Sequence, residues 1–166
     1  MSDSARLYRG SLSPEEAVAR MSGLVTRDPV VEPVPLAQAA GRVLASDLVA
    51  TSDLPATNNA AVDGFAVNAA CLAGAPDQTF RVIGRAAAGH PFAVSVADGE
   101  AVRIFTGAVM PDGADCVAMH EFCSFDEAAG SVKIGSELVP GTNNRPVGEN
   151  LRAGETIIRS GTRLSA

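Results

Sequence analysis

Apolar residues change their spacing along this chain. From Ser13, the stretch SPEEAVARMSGLV places Ala17, Met21 and Leu24 on one helical face. Ser13 suits an N-cap, Pro14 the first helical position, and Glu16 completes a capping box, so a helix is predicted to start there. After a loop marked by Pro29 and Pro33, LAQAAGRVLASDLVAT reads as a short helix stopped by Gly41 that passes into a strand from about Val43 to Ala50. SDLPATNN is a loop, and GFAV, from Gly64, opens another short strand.

From about Cys71 to Ser136 the texture changes. Short apolar runs (FRVIGRAAAG, EAVRIFTGAVM, DCVAMHEF, GSVKIG) alternate with turn signals, of which MPDGAD and DEAAGS are the clearest. Such spacing predicts a compact β-rich unit. VPGTNNRPVGEN reads as a loop, and ETIIRSGTRL as strand-like runs around a Gly turn. The fold class is therefore α+β, mostly β. Residues 1–70 with 141–166 are predicted to form a discontinuous α/β frame domain, interrupted by a β-rich domain over 71–140.

Composition sharpens this picture. Hydrophobic residues make up 46% of 166, enough for a real core, but aromatics are 4% and Trp is absent. The core must be built mostly from Val, Ala, Leu and Ile. Sixteen Gly and ten Pro fit a turn-rich β fold. Net charge is −6, Lys133 is the sole lysine, and no basic run exists, which argues against nucleic acid and against a polybasic membrane anchor. The arginines suit fixed, bidentate contacts to small anions. No apolar stretch approaches a spanning length, the N-terminus lacks a leader's apolar segment, and three cysteines make no disulfide framework. A soluble, cytoplasmic chain is expected.

The chemistry-bearing residues concentrate in RIFTGAVMPDGADCVAMHE, residues 103–121. Thr106-Gly107 follows an apolar strand end. A hydroxyl and a glycine-freed backbone can present donors to an oxyanion, although the same dipeptide also serves as a plain turn. Cys116, His120 and Cys123 suggest a metal, but on one strand Cys116 and His120 would stand about 13 Å apart, too far for ligands of one zinc. No metal site is predicted there. No G-x-S-x-G, phosphate loop or H-E-x-x-H occurs. The remaining candidates are the carboxylates Asp63, Glu121, Glu149 and Glu155. A carboxylate at a strand end can hold a hard cation beside a substrate phosphate.

Together these stretches resemble the N-terminal half of the molybdopterin molybdenumtransferase family, the MoeA and gephyrin E-domain group. LPATNNAAVDGFAV, Leu54 to Val67, is similar to the family's L-P-P-F-D-N-S-A-M-D-G-Y-A-V. Residues 103–121 match R-I-x-T-G-A-x-x-P-x-G-A-D-x-V-V-M-x-E almost throughout, and LAQAAGRVLASDLVA resembles L-x-E-A-L-G-R-V-L-A-x-D-V-x-A. The resemblance runs from about Ser13 to Leu164. It implies a frame of bifurcated, coiled sheets with an inserted β-rich module, and an elongated homodimer. It also implies insertion of molybdenum, from molybdate, into adenylylated molybdopterin with release of AMP, assisted by a divalent cation such as Mg²⁺. Carried over by motif, Asp63, Thr106 and Glu121 are the candidates for catalysis, and Gly64, Gly107, Glu149 and Arg152 for substrate binding.

The departures bear on this. The family's first aspartate is Asn58 here, its serine Ala60 and its methionine Val62. A gap-free match of GTNNRPVGENLRAGE, Gly141 to Glu155, to G-E-N-x-R-x-x-G-E-D-I-x-x-G-E puts Thr142 and Asn150 at two further carboxylate positions. Three acids are thus neutral, which weakens the expectation of Mg²⁺. The chain also stops at SGTRLSA, where family members continue into pterin-binding and C-terminal domains. It is expected to be either a cut piece or a natural short relative. Alone it should not insert molybdenum, and a separate pterin-binding domain or protein is a candidate partner. The alternative is a non-catalytic, stand-alone MoeA-like module for binding or dimerisation.

Overall fold

Ser13 and Glu16 close the capping box that their spacing predicts: Ser13 Oγ accepts from the Glu16 amide at 3.1 Å, and Glu16 Oε2 accepts from the Ser13 amide at 2.8 Å. The helix α1 that they start runs Pro14–Gly23. The computed structural model describes residues 12–25, 29–72, 77–135 and 138–165. The N-terminal stretch before Leu12, where no leader is expected, lies outside them. Among the described residues no helix is long and apolar enough to cross a membrane. The chain divides into two compact units, Met1–Ala45 with Arg163–Ala166, and Ser46–Thr162.

In the first unit α1 buries none of its residues; Met21 and Leu24 are 68% and 78% exposed. The predicted helix after Pro35 is only a 3₁₀ turn, Leu36–Gln38. Pro35 supplies no side-chain cap, and Gly41 turns left-handed at φ +81°. The few residues between them cannot offset the cost of α-helix nucleation. Val43 bridges Arg163, and the Gly41 amide donates to the Leu164 carbonyl at 2.8 Å.

In the second unit the strand expected over 43–50 is confined to β1, Leu48–Val49, antiparallel to β10, Thr156–Ile158. Before it, Asp47 offers its carboxylate to the Ser160 amide at 2.7 Å instead of extending the ladder. A second short pair joins β2, Asn59–Ala60, to β9, Asn144–Arg145. β9 falls inside a stretch read as loop, because its two residues are polar.

The main element is a six-stranded sheet of order β6-β3-β5-β4-β8-β7. Its strands are β3 Gly64–Val67, β4 Gln78–Ala86, β5 Glu100–Ile104, β6 Cys116–Met119, β7 Cys123–Asp126 and β8 Ser131–Ile134. All pairs are antiparallel except β4–β5. Both faces of its middle are buried. Phe65, Val67, Phe80, Ala101, Cys116 and Val132 belong to one cluster, while Ala66, Ala86, Val102, Ile104 and Val117 belong to the other. This is why GFAV and CVAM carry no polar alternation: a strand covered on both sides has no wet face. Full burial of Phe80 alone removes enough apolar surface to contribute about 2 kcal/mol.

β4 is irregular at one point. Its register with β5 slips between Val82 and Gly84. Before the slip, Phe80 and Val82 pack in the first cluster; after it, Ala86 packs in the second. Even-numbered positions thus change face, and Arg85 comes to lie beside Arg103.

Candidate functional site

One cross-sheet row runs Arg85, Arg103, Phe65, Ala118 over β4, β5, β3 and β6. Immediately past it the chain leaves the sheet at Asp63, Phe105 and His120, so several chain breaks cluster at one sheet end. Here the Thr106-Gly107 dipeptide forms a tight turn. The Ala108 amide donates to the Phe105 carbonyl at 2.9 Å, and Gly107 adopts φ +80°, the value a type II turn needs at that position. The Gly107 amide donates to the Ala60 carbonyl at 2.9 Å, and the Ala60 amide to the Ala108 carbonyl at 2.9 Å, which ties the turn to β2.

The turn aims two donors at one oxygen. The Thr106 amide and Thr106 Oγ1 both donate to Asp63 Oδ1, at 2.8 and 2.7 Å. Among the described residues no hydrogen bond reaches Asp63 Oδ2. The carboxylate is exposed, with one oxygen fixed and the other open. Its pKa lies below the ordinary aspartate value. The Thr106 amide is the largest cause and the Thr106 hydroxyl the next, with smaller help from the charges of His120 and Arg103. Gly64 follows because β6 runs close: a Cβ there would stand 1.9 Å from the Ala118 carbonyl oxygen. The Asp-Gly pair is thus a strand start, the acid turned toward the Thr106 turn and the glycine required by the neighbouring backbone.

The other sequence candidates fall around this pair or away from it. Glu121 lies in a 3₁₀ turn, His120–Phe122, not on a longer strand, because β6 loses its partner where β3 begins. Its Oε2 is 3.2 Å from His120 Nδ1, and the His120 amide donates to the Asp63 carbonyl at 3.2 Å. Glu149 accepts from Arg145 Nε at 2.7 Å, an exposed pair worth at most about 1 kcal/mol. The Arg152 and Glu155 pair closes a turn, the Arg152 amide donating to Glu155 Oε2 at 3.2 Å. Among the described residues no hydrogen bond or ion pair joins Glu149 or Arg152 to Asp63 or Thr106.

The three neutral positions are all occupied acceptors. Asn58 Oδ1 accepts from the Val147 amide at 3.0 Å, Thr142 Oγ1 from the Val139 amide at 3.3 Å, and Asn150 Oδ1 from Arg145 Nη2 at 3.2 Å. The cysteines are inward. Cys116 Sγ points to the Val67 carbonyl at 3.5 Å and Cys123 Sγ to the Met119 carbonyl at 3.2 Å. Burial pushes these thiols up to about 12 and about 11. Among the described residues no three His, Cys, Asp or Glu side chains converge on a common point.

Sequence reasoning missed Arg85 and Arg103. The Arg85 guanidinium lies 4.5 Å from the centroid of Phe105, and that of Arg103 lies 5.5 Å from Phe105 and 5.5 Å from Phe125. Each such contact is worth about 0.5–1 kcal/mol at an exposed site. The available signal was the R-x-F alternation of RIF, which puts Arg103 and Phe105 on one face of a strand.

A family model for the MoeA N-terminal region, domains I and II, matches residues 12–166. The chain belongs to the MoeA family. It is 34% identical over 130 residues to the molybdopterin molybdenumtransferase of Haemophilus influenzae, covering 78% of this chain and 31% of that one. With the Synechococcus elongatus enzyme of that name, identity is 35% over 159 residues, covering 93% and 39%. A crystal structure of the molybdopterin biosynthesis MoeA protein from Pyrococcus horikoshii OT3 superposes with a TM-score of 0.76 at 35% identity, over 80% of this chain and 35% of that one. A second Pyrococcus MoeA structure gives 0.79 at 29% identity, over 93% and 40%. The mostly-β architecture, with its curled sheet and capped helix, is that of a MoeA N-terminal region. The chain spans about two-fifths or less of the length of these MoeA relatives.

Proposed function

We propose that this MoeA chain acts in molybdenum cofactor biosynthesis, and that its sheet end forms one wall of a site where molybdenum from molybdate enters adenylylated molybdopterin. The observation that carries this reading is the Asp63–Thr106 clasp, which joins the two motifs most similar to the family and leaves Asp63 Oδ2 open. A carboxylate held below its ordinary pKa is a weak proton acceptor near neutrality, so Asp63 serves to orient a substrate N–H or O–H rather than to remove its proton. Thr106 positions Asp63. Glu121 takes part through His120, and Gly64 and Gly107 give the backbone its close approach and its turn.

The described residues do not fit a resident Mg²⁺. Among the described residues no three acidic, thiol or imidazole groups converge, and the open Asp63 oxygen lies within the field of Arg103, which disfavours a further cation. No step of this proposal passes through a protein-held metal.

The site is open and its acid is fully exposed, so residues 1–166 need a second part to enclose a substrate. That part is a pterin-binding domain or protein, and the setting is the cytoplasm. The test follows AMP release from adenylylated molybdopterin and molybdate. The chain alone is expected to give none. Release should appear when the pterin-binding part of a longer relative is added, and Asp63→Asn should cut it at least tenfold. Full turnover by the chain alone, or an unimpaired Asp63→Asn, refutes the reading.

One observation favours a second role, as a dimerisation module. Among the described residues nothing covers the apolar face of α1, where Met21 and Leu24 are exposed, and a second copy of this chain would bury it. Light scattering should show a dimer at micromolar concentration that Met21→Glu dissociates; a monomer in the parent chain rules this out.

A further inference from the structure

We propose that Arg85 and Arg103 form the seat of a phosphate-type oxyanion at the end of the six-stranded sheet. The proposal rests on the insertion reading and deepens it, by assigning the phosphate-bearing part of the substrate to named side chains. Four observations carry it.

First, the two arginines are direct partners across the parallel β4–β5 ladder and face the same way, because of the slip between Val82 and Gly84. Like charges side by side on a sheet repel. An anion bound between them would relieve that repulsion. Second, among the described residues neither makes an ion pair. Arg42, Arg81, Arg145 and Lys133 each have a carboxylate, whereas Arg20, Arg152, Arg159 and Arg163 are, among the described residues, unpaired like these two but have no second arginine as strand partner. Asp63 feels the charge of Arg103 but lies outside ion-pair range.

Third, the side chains are held. Arg85 and Arg103 share the Phe105 ring, and Arg103 also meets Phe125. A guanidinium seated on a ring keeps its N–H edge available, and that planar fork matches two oxygens of a phosphate. Less side-chain freedom is then lost on binding. Both guanidinium groups lie within 5.5 Å of the centroid of that one ring. Fourth, the pair adjoins Asp63 and Thr106, at the strand end where β5 runs into the Thr106-Gly107 turn. Arg103 is near enough to Asp63 for its charge to help lower that pKa.

The probe is inorganic diphosphate, titrated into the full 166-residue chain at constant ionic strength, with the arginine Nε–Hε resonances observed by NMR. The Arg85 and Arg103 signals are expected to move together and saturate, while those of Arg20 and Arg159 stay in place. Arg85→Ala and Arg103→Ala should each weaken binding at least tenfold, the loss expected when a hydrogen bond to a charged group is removed. Arg103→Lys keeps the charge without the fork and should fall between. A uniform, non-saturating drift of all arginine signals overturns the proposal. So does parent-like affinity in alanine variants that melt like the parent chain. If the alanine variants do not fold, parent-like affinity in Arg103→Lys overturns it. Saturable binding at both arginines, in a chain that still releases no AMP with the pterin-binding part added, refutes the insertion reading and leaves this site standing. AMP release without diphosphate binding does the reverse.

Discussion

Gly64 faces the Ala118 carbonyl across the β3–β6 ladder so closely that no side chain fits between them: a Cβ at 64 would stand 1.9 Å from the oxygen and 2.8 Å from its carbon. The obstacle is backbone, so it cannot rotate away. Gly64→Ala must push β6 off β3 and loosen the strand that ends at Asp63. A loss of about 3 kcal/mol in urea unfolding is expected, at the upper end for overpacked cores. A change under about 0.5 kcal/mol, the range of an ordinary surface substitution, contradicts it.

The Asp63 carboxyl should titrate below a free aspartate, whose pKa is about 3.9. Thr106→Val removes the hydroxyl donor but keeps the amide, so the Asp63 pKa should rise without regaining the free value. Thr106→Ser should leave it low. Because the folded pKa is depressed, the clasp stabilises the protein above the unfolded pKa. That contribution is lost as pH falls through the lower folded value. Carboxyl ¹³C shifts across an acid titration check the order parent, then Ser, then Val. A parent Asp63 titrating at the free value defeats it.

Cys116 and Cys123 should be inert toward a thiol reagent at pH 8, where the reactive thiolate is scarce in both. Both pKa values are raised, so their stabilising contribution is present below the unfolded thiol value of about 8.5. It is lost as pH climbs from there toward about 11 and about 12. Mass-spectrometric mapping of iodoacetamide labelling should find both modified only in denaturant or strong alkali. Rapid modification of Cys116 in the folded chain argues against its buried placement.

Asn58→Asp and Asn150→Asp restore acids without moving an acceptor, since an oxygen at each position already takes a hydrogen bond. Each should change stability by less than about 1 kcal/mol, with Asn150→Asp the more favourable because Arg145 is its donor. Thermal unfolding decides this; a drop of several kcal/mol in Asn58→Asp shows that the amide itself is needed there.

Much of the architecture was legible in the sequence for local reasons. The capping box needs only Ser13 and Glu16. GFAV and CVAM are apolar at every position because both of their faces are covered. The Thr106-Gly107 turn follows from glycine's access to positive φ. What was not legible depends on pairing between distant segments. Asn144–Arg145 becomes a strand only because β2 lies beside it, and its polar residues give no warning. Periodicity places Met21 and Leu24 on one helix face, but it does not say what covers that face. Most instructive is Arg85. Simple alternation along β4 sets it on the face opposite Phe80, and only the slip after Val82 turns it to Arg103. Gly84, inside the strand, is the one mark of that slip, but a glycine there does not say which way the following side chains turn.

The Asp63–Thr106 clasp closes a loop of chain 43 residues long. Its two ends cannot meet until β3 has found β5, and the cationic neighbours cannot arrive until β4 has docked beside β5 in its slipped register. The Thr106-Gly107 turn is local, but the assembled candidate site depends on these non-local pairings. Non-local contacts of this kind are slow to form, so ligand competence should lag behind the first helical signal in a refolding experiment and coincide with completion of the sheet.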